Sequence, residues 1–297
     1  MKKVMMVAVA LTAFALEADV MPLVRPEERV LTNPSEVQLE HTLATASLKR
    51  LVIVGRGNYA LRVPQLSSES VQELEIQNCD IADLKGLAGV KSVRRLILRN
   101  VKVEGSKVFP PLPGLEVFMA WDSEFVDGNF DWSFLCDASH LRWLTIWKAR
   151  TQKPIDLSLV AKLPDLRTVA LGGSSVANID AVKDLPNLSD LDIRDVRGVK
   201  SVAGFEKCRH MNRMVVTRRC FPELETETLS RAFAKSGGHL IQVPANGRKA
   251  DGDKLWEACF DESLGTNRIG RLEKLLASGC DPNDPTFSDK LVLTELV

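Results

Sequence analysis

Apolar residues recur through the middle of the chain in a short motif that has the alternation of a β-strand. An apolar residue is followed by two variable residues, a second apolar residue, one variable residue and a third apolar residue, as in residues 48–53, LKRLVI. Successive strand side chains point to opposite faces, so the apolar residues at positions four and six predict a strand with one buried face. Positions three, five and seven are then expected on the other face.

The motif returns at a nearly constant interval. It starts at residues 48, 71, 93, 115, 141, 166, 188 and 211, which are 23, 22, 22, 26, 25, 22 and 23 residues apart. The return segments repeat as well, with a proline before the next strand in LPGL (112–115), LPDL (163–166) and LPNL (185–188). One repeat cannot bury its apolar side alone, whereas stacked repeats share a core, so the interval predicts a solenoid.

These strands and returns resemble leucine-rich repeats. Residues 81–87 (IADLKGL) and 176–182 (VANIDAV) are similar to the 22-residue type of bacterial surface proteins of the internalin kind. The resemblance covers about two thirds of the chain. It implies an α/β repeat solenoid, a leucine-rich-repeat horseshoe whose parallel sheet lines the concave side. At the ninth position, where the family has an Asn or Cys ladder, only Cys79 fits, and we expect that thiol to be structural.

The N-terminal end carries a different signal. Two lysines precede the apolar run Val4–Leu16, and Ala13-Phe14-Ala15 is a small-residue cleavage site, so residues 1–15 are typical of a secretory signal peptide. A buried N-terminal helix is the alternative. The other predicted segments are an N-terminal cap (16–47), about eight repeats (48–243) with a degenerate further strand near 240–243, a linker (244–253) and a helical segment (254–297). The signal peptide predicts export to the periplasm, the cell surface or the extracellular medium.

The C-terminal segment, residues 254–297, resembles an incomplete ankyrin repeat. LWEACF (255–260) and RLEKLLASGCDPN (271–283) look like its two helices and the following turn, although residues 264–268 lengthen the connection between the helices. One and a half repeats do not form an independent array. We interpret the segment as a helical cap or a docking appendage, and self-association through its uncovered edge is an alternative.

Charge and cysteine content narrow the classes of partner. Lys and Arg number 39, as do Asp and Glu, and this zero net charge disfavours nucleic acid as a partner. No stretch after residue 16 is long and apolar enough for stable membrane insertion. The six cysteines form no dense framework. The Cys208–Cys220 and Cys259–Cys280 pairs are the disulfides to test first, because each pair is close in sequence.

Catalytic and metal-binding motifs are not found in the sequence. No paired-cysteine or His-x-x-x-His spacing accompanies the four histidines, and no nucleophile or phosphate-loop signature occurs. The Gly172-Gly173-Ser174-Ser175 cluster falls at a strand end, where it predicts a turn. We therefore predict a non-catalytic binding protein without a cofactor or a metal.

Three of the five tryptophans fall on the predicted concave face. Trp121 and Trp147 occupy position seven of neighbouring strands, and Trp143 occupies position three. Large aromatic side chains near arginines are typical of binding hot spots. The predicted binding residues are Trp121, Trp143, Trp147, Met119, Arg99 and Arg194. A protein is the expected partner and a carbohydrate the second possibility. The alternative is that the rings only cover the sheet or pack under the terminal segments.

Overall fold

A computed structural model describes residues 27–243, apart from residues 58, 63–67, 84, 105–109, 127–129 and 219, together with Lys274. The chain divides into two compact units, Val24–Gln242 and a second unit made of Met1–Leu23 and Val243–Val297. The predicted signal peptide and linker lie outside the described residues, as does the ankyrin-like segment except for Lys274. These three assignments stay predictions.

The described chain is built from short strands joined by turns and single helical turns. The strands are β1 (Glu28–Thr32), β2 (Arg50–Val54), β3 (Ala60–Arg62), β4 (Glu73–Gln77), β5 (Asp80–Asp83), β6 (Arg95–Arg99), β7 (Lys102–Val103), β8 (Val117–Trp121), β9 (Glu124–Phe125), β10 (Trp143–Trp147), β11 (Arg150–Thr151), β12 (Ile155–Asp156), β13 (Thr168–Ala170), β14 (Val176–Ala177), β15 (Asp190–Asp192), β16 (Arg213–Thr217) and β17 (His239–Val243). The α-helices are α1 (Glu36–Leu43), α2 (Phe134–Asp137) and α3 (Glu223–Ser236). The 3-10 helices are Lys85–Gly89, Leu157–Val160, Ile179–Val182 and Phe205–Lys207.

One strand from each repeat joins a single ten-stranded sheet. Its order is β1-β2-β4-β6-β8-β10-β13-β15-β16-β17, and β3, β5, β7, β9 and β11 form a second sheet of five strands. From β1 to β16 the strands of the large sheet pair in parallel with every motif in register, so that Leu51 lies beside Leu74 and Leu74 beside Leu96. Residues at the same motif position therefore form rows across the sheet. The predicted α/β repeat solenoid is confirmed.

The rows at motif positions one, four and six form the part of the buried core that the large sheet contributes. Their members are Leu48, Leu51, Ile53, Val71, Leu74, Ile76, Val93, Leu96, Leu98, Leu115, Phe118, Ala120, Leu141, Leu144, Ile146, Leu166, Val169, Leu171, Leu188, Leu191, Ile193, Met211, Met214 and Val216. None of these side chains is more than 2% exposed. The open face of the large sheet, defined here as the face that carries positions three, five and seven, is consequently opposite the core.

The large sheet extends beyond the eight predicted strands at both ends. Strand β1 lies in the segment interpreted as a cap and pairs with β2. The motif does not reveal β1 because Arg29 occupies the fourth position, where the other strands have an apolar residue. At the other end, β17 coincides with the degenerate strand predicted at 240–243. Helix α3 precedes β17 and buries Leu229 and Phe233.

A turn of constant conformation follows most strands of the large sheet. The residue at motif position eight has a positive φ in six successive repeats, at Asn78, Asn100, Asp122, Lys148, Gly173 and Asp195. Asn, Asp and Gly adopt this left-handed conformation at low cost, which explains why they dominate the row. After this turn the ninth residue is buried in five of the six repeats, at Cys79, Val101, Ser123, Ala149 and Ser174.

At the ninth position the prediction that only Cys79 could serve the ladder is wrong. The Ser174 hydroxyl donates to the Ile146 carbonyl at 2.8 Å and accepts the Ala149 N–H at 3.1 Å, so it links two repeats. The Ser123 hydroxyl donates to the Trp121 carbonyl at 2.8 Å and accepts the Val101 N–H at 3.4 Å. A hydroxyl both donates and accepts, so serine can replace the family's Asn or Cys.

Candidate functional site

The open face carries three rows of side chains, which the parallel register aligns across the sheet. From β2 to β15, row three contains Arg50, Glu73, Arg95, Val117, Trp143, Thr168 and Asp190. Row five contains Val52, Glu75, Ile97, Met119, Thr145, Ala170 and Asp192. Row seven contains Val54, Gln77, Arg99, Trp121, Trp147, Gly172 and Arg194, of which Gly172 and Arg194 lie two residues after β13 and β15.

The three predicted tryptophans lie on two neighbouring strands of this face, and all three are partly exposed. Trp121 and Trp147 are register partners at the ends of β8 and β10. Trp143 lies four residues before Trp147, about 13 Å away along the strand. The Trp143 indole N–H donates to the Thr145 hydroxyl at 2.8 Å. The structure therefore places two indoles side by side and the third at the opposite end of β10.

Both predicted arginines stack on these rings. The guanidinium carbon of Arg99 lies 4.1 Å from the centre of the Trp121 ring, and that of Arg194 lies 4.8 Å from the centre of the Trp147 ring. Such cation–π contacts contribute about 0.5–1 kcal/mol at exposed sites and more when desolvated. The two arginines hold the pair of indoles from opposite sides along row seven.

Buried carboxylates fix the arginines in these positions. Glu75, whose side chain is 3% exposed, accepts the Arg99 Nε–H at 2.6 Å. Asp192 accepts Arg194 Nε–H at 3.0 Å and Nη2–H at 2.6 Å. Neither carboxylate is among the site residues predicted from the sequence. The sequence does contain a signal for Asp192, because it lies two residues before Arg194 and side chains at that spacing share one face of a strand.

The middle row supports the rings from below. Met119 and Thr145 are only 1% and 2% exposed, so Met119 underlies the patch and offers little surface to a partner. Gly172 leaves room for the Trp147 ring, because a Cβ at this residue would lie 2.5 Å from two atoms of the indole. The ring rests on the backbone of the neighbouring repeat, which limits its freedom to rotate.

A network of ion pairs covers the face on the β1 side of the tryptophans. Arg50 is its centre and contacts Glu28 at 3.0 Å, Glu73 at 2.7 Å and Glu75 at 2.9 Å. Arg95 contacts Glu73 at 3.4 Å. The open face of β1–β16 carries five arginines and five carboxylates, so its charges balance.

Between the charged regions lies an uncharged window, defined by rows three, five and seven of β8, β10 and β13. Its residues are Val117, Met119, Trp121, Trp143, Thr145, Trp147, Thr168, Ala170 and Gly172. Arg95 and Arg99 of β6 border the window on one side, and Asp190 and Asp192 of β15 border it on the other. All three tryptophans lie inside the window.

Other candidate chemistry is sparse in the part of the chain that the structure describes. Burial raises the pKa of the Cys79 thiol to about 12 and that of the Cys208 thiol to about 11, so both are protonated at neutral pH. Cys208 and Cys220, one of the two pairs to be tested for a disulfide, are both free thiols. The other pair, Cys259 and Cys280, lies outside the described residues. The described residues contain no cluster of three or more metal-ligating side chains, and no described helix is long and apolar enough to cross a membrane.

Comparisons with known proteins support the fold. No protein-family model and no curated protein matches the chain. A leucine-rich-repeat protein of Leptospira interrogans aligns with a TM-score of 0.50 and 14% identity, over 67% of this chain and 56% of that one. Internalin C2 of Listeria monocytogenes aligns with a TM-score of 0.34 and 16% identity, over 53% of this chain and 80% of that one. An internalin F from the same organism aligns with a TM-score of 0.33 and 15% identity, over 81% and 88%.

The similarity to the Leptospira protein shows a leucine-rich-repeat fold, which confirms that part of the resemblance. This chain spans 56% of the length of that protein. The resemblance of residues 254–297 to an ankyrin repeat stays a prediction, because only Lys274 of that segment is among the described residues.

Proposed function

We propose that this chain is a non-catalytic binding protein that recognises a protein partner through the uncharged window. The observation that carries the proposal is the fixed position of Trp121 and Trp147 between Arg99 and Arg194. Side chains held in place before binding lose less conformational entropy in a complex, which raises affinity. Trp and Arg are also the residues most enriched at binding hot spots.

The geometry favours a protein over a carbohydrate, the second candidate. A sugar stacks on the open face of an indole ring, but here a guanidinium lies against a face of each of the two neighbouring rings. The exposed parts of the rings, together with Val117 and Trp143, suit apolar side chains. A glycan array on the full chain tests this preference, and a glycan whose binding requires Trp121 and Trp147 would contradict it.

The main test compares three forms of the full chain. Photo-crosslinking from position 117 in the native medium is expected to join the wild-type chain to a defined protein. Replacing Trp121, Trp143 and Trp147 with Ala should abolish that product, because it removes the apolar surface. Glu124→Gln is the matched control, since Glu124 lies on β9, outside the open face. A crosslinked product that still forms after the triple replacement would contradict the proposal.

We also propose export through residues 1–15, because two lysines, an apolar run and a small-residue cleavage site follow one another in the order of a signal peptide. Expression in a Gram-negative host with the native N-terminus should yield a processed chain that begins at Leu16. N-terminal sequencing checks this result, and a product that retains Lys2 and Lys3 contradicts it.

Self-association through residues 254–297 is a separate proposal. It predicts that deleting residues 251–297 lowers the mass measured by light scattering.

A further inference from the structure

The borders of the uncharged window have opposite charges on their exposed side chains. In row three, the window separates Arg95, whose side chain is 30% exposed, from Asp190, whose side chain is 33% exposed. In row seven, Arg99 is 38% exposed, whereas Arg194 is 11% exposed and held by Asp192. The accessible charge is therefore positive at β6 and negative at β15.

Existing ion pairs occupy these border residues only in part. Glu73, the partner of Arg95, also contacts Arg50 at 2.7 Å, and Glu75, the partner of Arg99, contacts Arg50 at 2.9 Å. Both carboxylates are thus shared with a cation on the side away from the window. Asp190 accepts the Ser189 hydroxyl at 2.6 Å, and its ion pair with Arg213 is long, at 3.8 Å.

We infer that the window takes an extended segment of a protein partner that lies across the strands in a fixed orientation, with an acidic side chain at Arg95 and Arg99 and a basic side chain at Asp190. This inference rests on the proposed function and adds the charge pattern of the partner. The apolar residues of the segment would contact Trp143, Trp121 and Trp147 between the two charges.

The width of the window sets the spacing of the two charges. Four strand intervals separate β6 from β15, which corresponds to about 19 Å at ~4.8 Å per interval. An extended chain rises by about 3.3 Å per residue, so the acidic and basic residues should be about six positions apart. Complementary charges at such a distance fix the orientation of the partner more than they raise affinity.

A peptide library tests this charge pattern whatever protein the segment comes from. Random 12-residue peptides displayed on phage are selected on the full wild-type chain, and those that also bind Trp121→Ala/Trp147→Ala are discarded. The remaining peptides are expected to contain an acidic and a basic residue about six positions apart with apolar residues between them. Peptides that depend on the tryptophans but show no such pair would overturn the inference and leave the proposed function intact.

Pairwise exchange identifies which charge meets which border. Asp190→Asn should weaken a selected peptide about fivefold, as expected for a partly exposed ion pair. When the basic residue of that peptide is replaced by norleucine, Asp190→Asn should no longer change the affinity. Arg95→Gln should behave in the same way toward the acidic residue, because Arg95 borders the window without stacking on a tryptophan, and Glu124→Gln should affect neither. Equal losses for charged and neutral peptides contradict the orientation, and failure to select any tryptophan-dependent peptide contradicts the proposed function itself.

Discussion

Gly172 shows how one small residue shapes the binding surface. The Trp147 ring occupies the place of a side chain at this residue, and the ring in turn carries Arg194. The sequence by itself predicts only a turn at Gly172 and its neighbour. The role of Gly172 depends on the lateral register of β10 and β13, which the sequence indicates through repeat spacing, and on the direction of the indole, which the sequence does not indicate.

Gly172→Ala should therefore displace the Trp147 ring. Overpacking of this kind costs about 1–3 kcal/mol of unfolding free energy, and urea unfolding measures the loss. Gly114→Ala is the matched control, because a Cβ at Gly114 would meet its nearest atom at an ordinary 3.6 Å. In a Trp147→Ala background the cost of Gly172→Ala should vanish. An undiminished cost there would show that the ring is not the cause.

Ser174 is a second residue that we expect to stabilise the fold, because its hydroxyl is part of the ladder at motif position nine. Its hydroxyl is fully buried and bonds to two backbone groups of the preceding repeat. Ser174→Ala leaves a buried N–H and a buried carbonyl without this partner, which should cost about 2 kcal/mol. Ser175→Ala, at the adjacent and more exposed position, should change the unfolding free energy by less than about 0.5 kcal/mol. Equal effects would contradict the ladder role of serine.

At the scale of elements, periodicity predicts the repeat strands, but it predicts neither strand β1 nor the carboxylates that hold the arginines. Spacing alone places Leu51, Leu74 and Leu96 in the core, because every repeat must bury the same side. The motif does not identify strand β1, because Arg29 replaces the apolar residue at position four. The spacing itself is kept, since Pro26 lies 22 residues before Leu48, the first position of the next repeat. The motif does not identify Glu75 and Asp192 either, because an anchoring role depends on which neighbouring side chain each carboxylate reaches, and periodicity does not specify that.

Helix α3 is joined to the preceding repeat by one carboxylate. Glu225 Oε2 accepts the Ser201 hydroxyl at 2.8 Å, the Val202 N–H at 2.8 Å and the Ala203 N–H at 3.2 Å. Burial by itself would raise the pKa of Glu225, but these hydrogen bonds outweigh it and lower the pKa below its ordinary 4.5. The charged carboxylate therefore stabilises the attachment of α3.

A lowered pKa in the folded state means that the stabilisation is complete above the unfolded value and is lost as pH falls through the folded value. At pH 7, Glu225→Gln should reduce the unfolding free energy by about 1 kcal/mol, given the partial exposure of the group. The difference from wild type should shrink as the pH falls below about 4.5. Chemical denaturation at several pH values checks this, with Glu227→Gln as the control. A difference that grows in acid would refute the assignment.

At the scale of the whole molecule, zero net charge has a structural counterpart on the open face, where five arginines face five carboxylates. A polyanion gains affinity by meeting a broad positive field and releasing counterions. Here each border arginine of the window has a carboxylate partner within 3.4 Å. We therefore expect the wild-type chain to pass through heparin resin at about 50 mM salt. The double replacement Glu73→Gln/Glu75→Gln should be retained, because it removes the carboxylates that pair with Arg50, Arg95 and Arg99. Retention of the wild type would mean that the ion pairs do not neutralise the face.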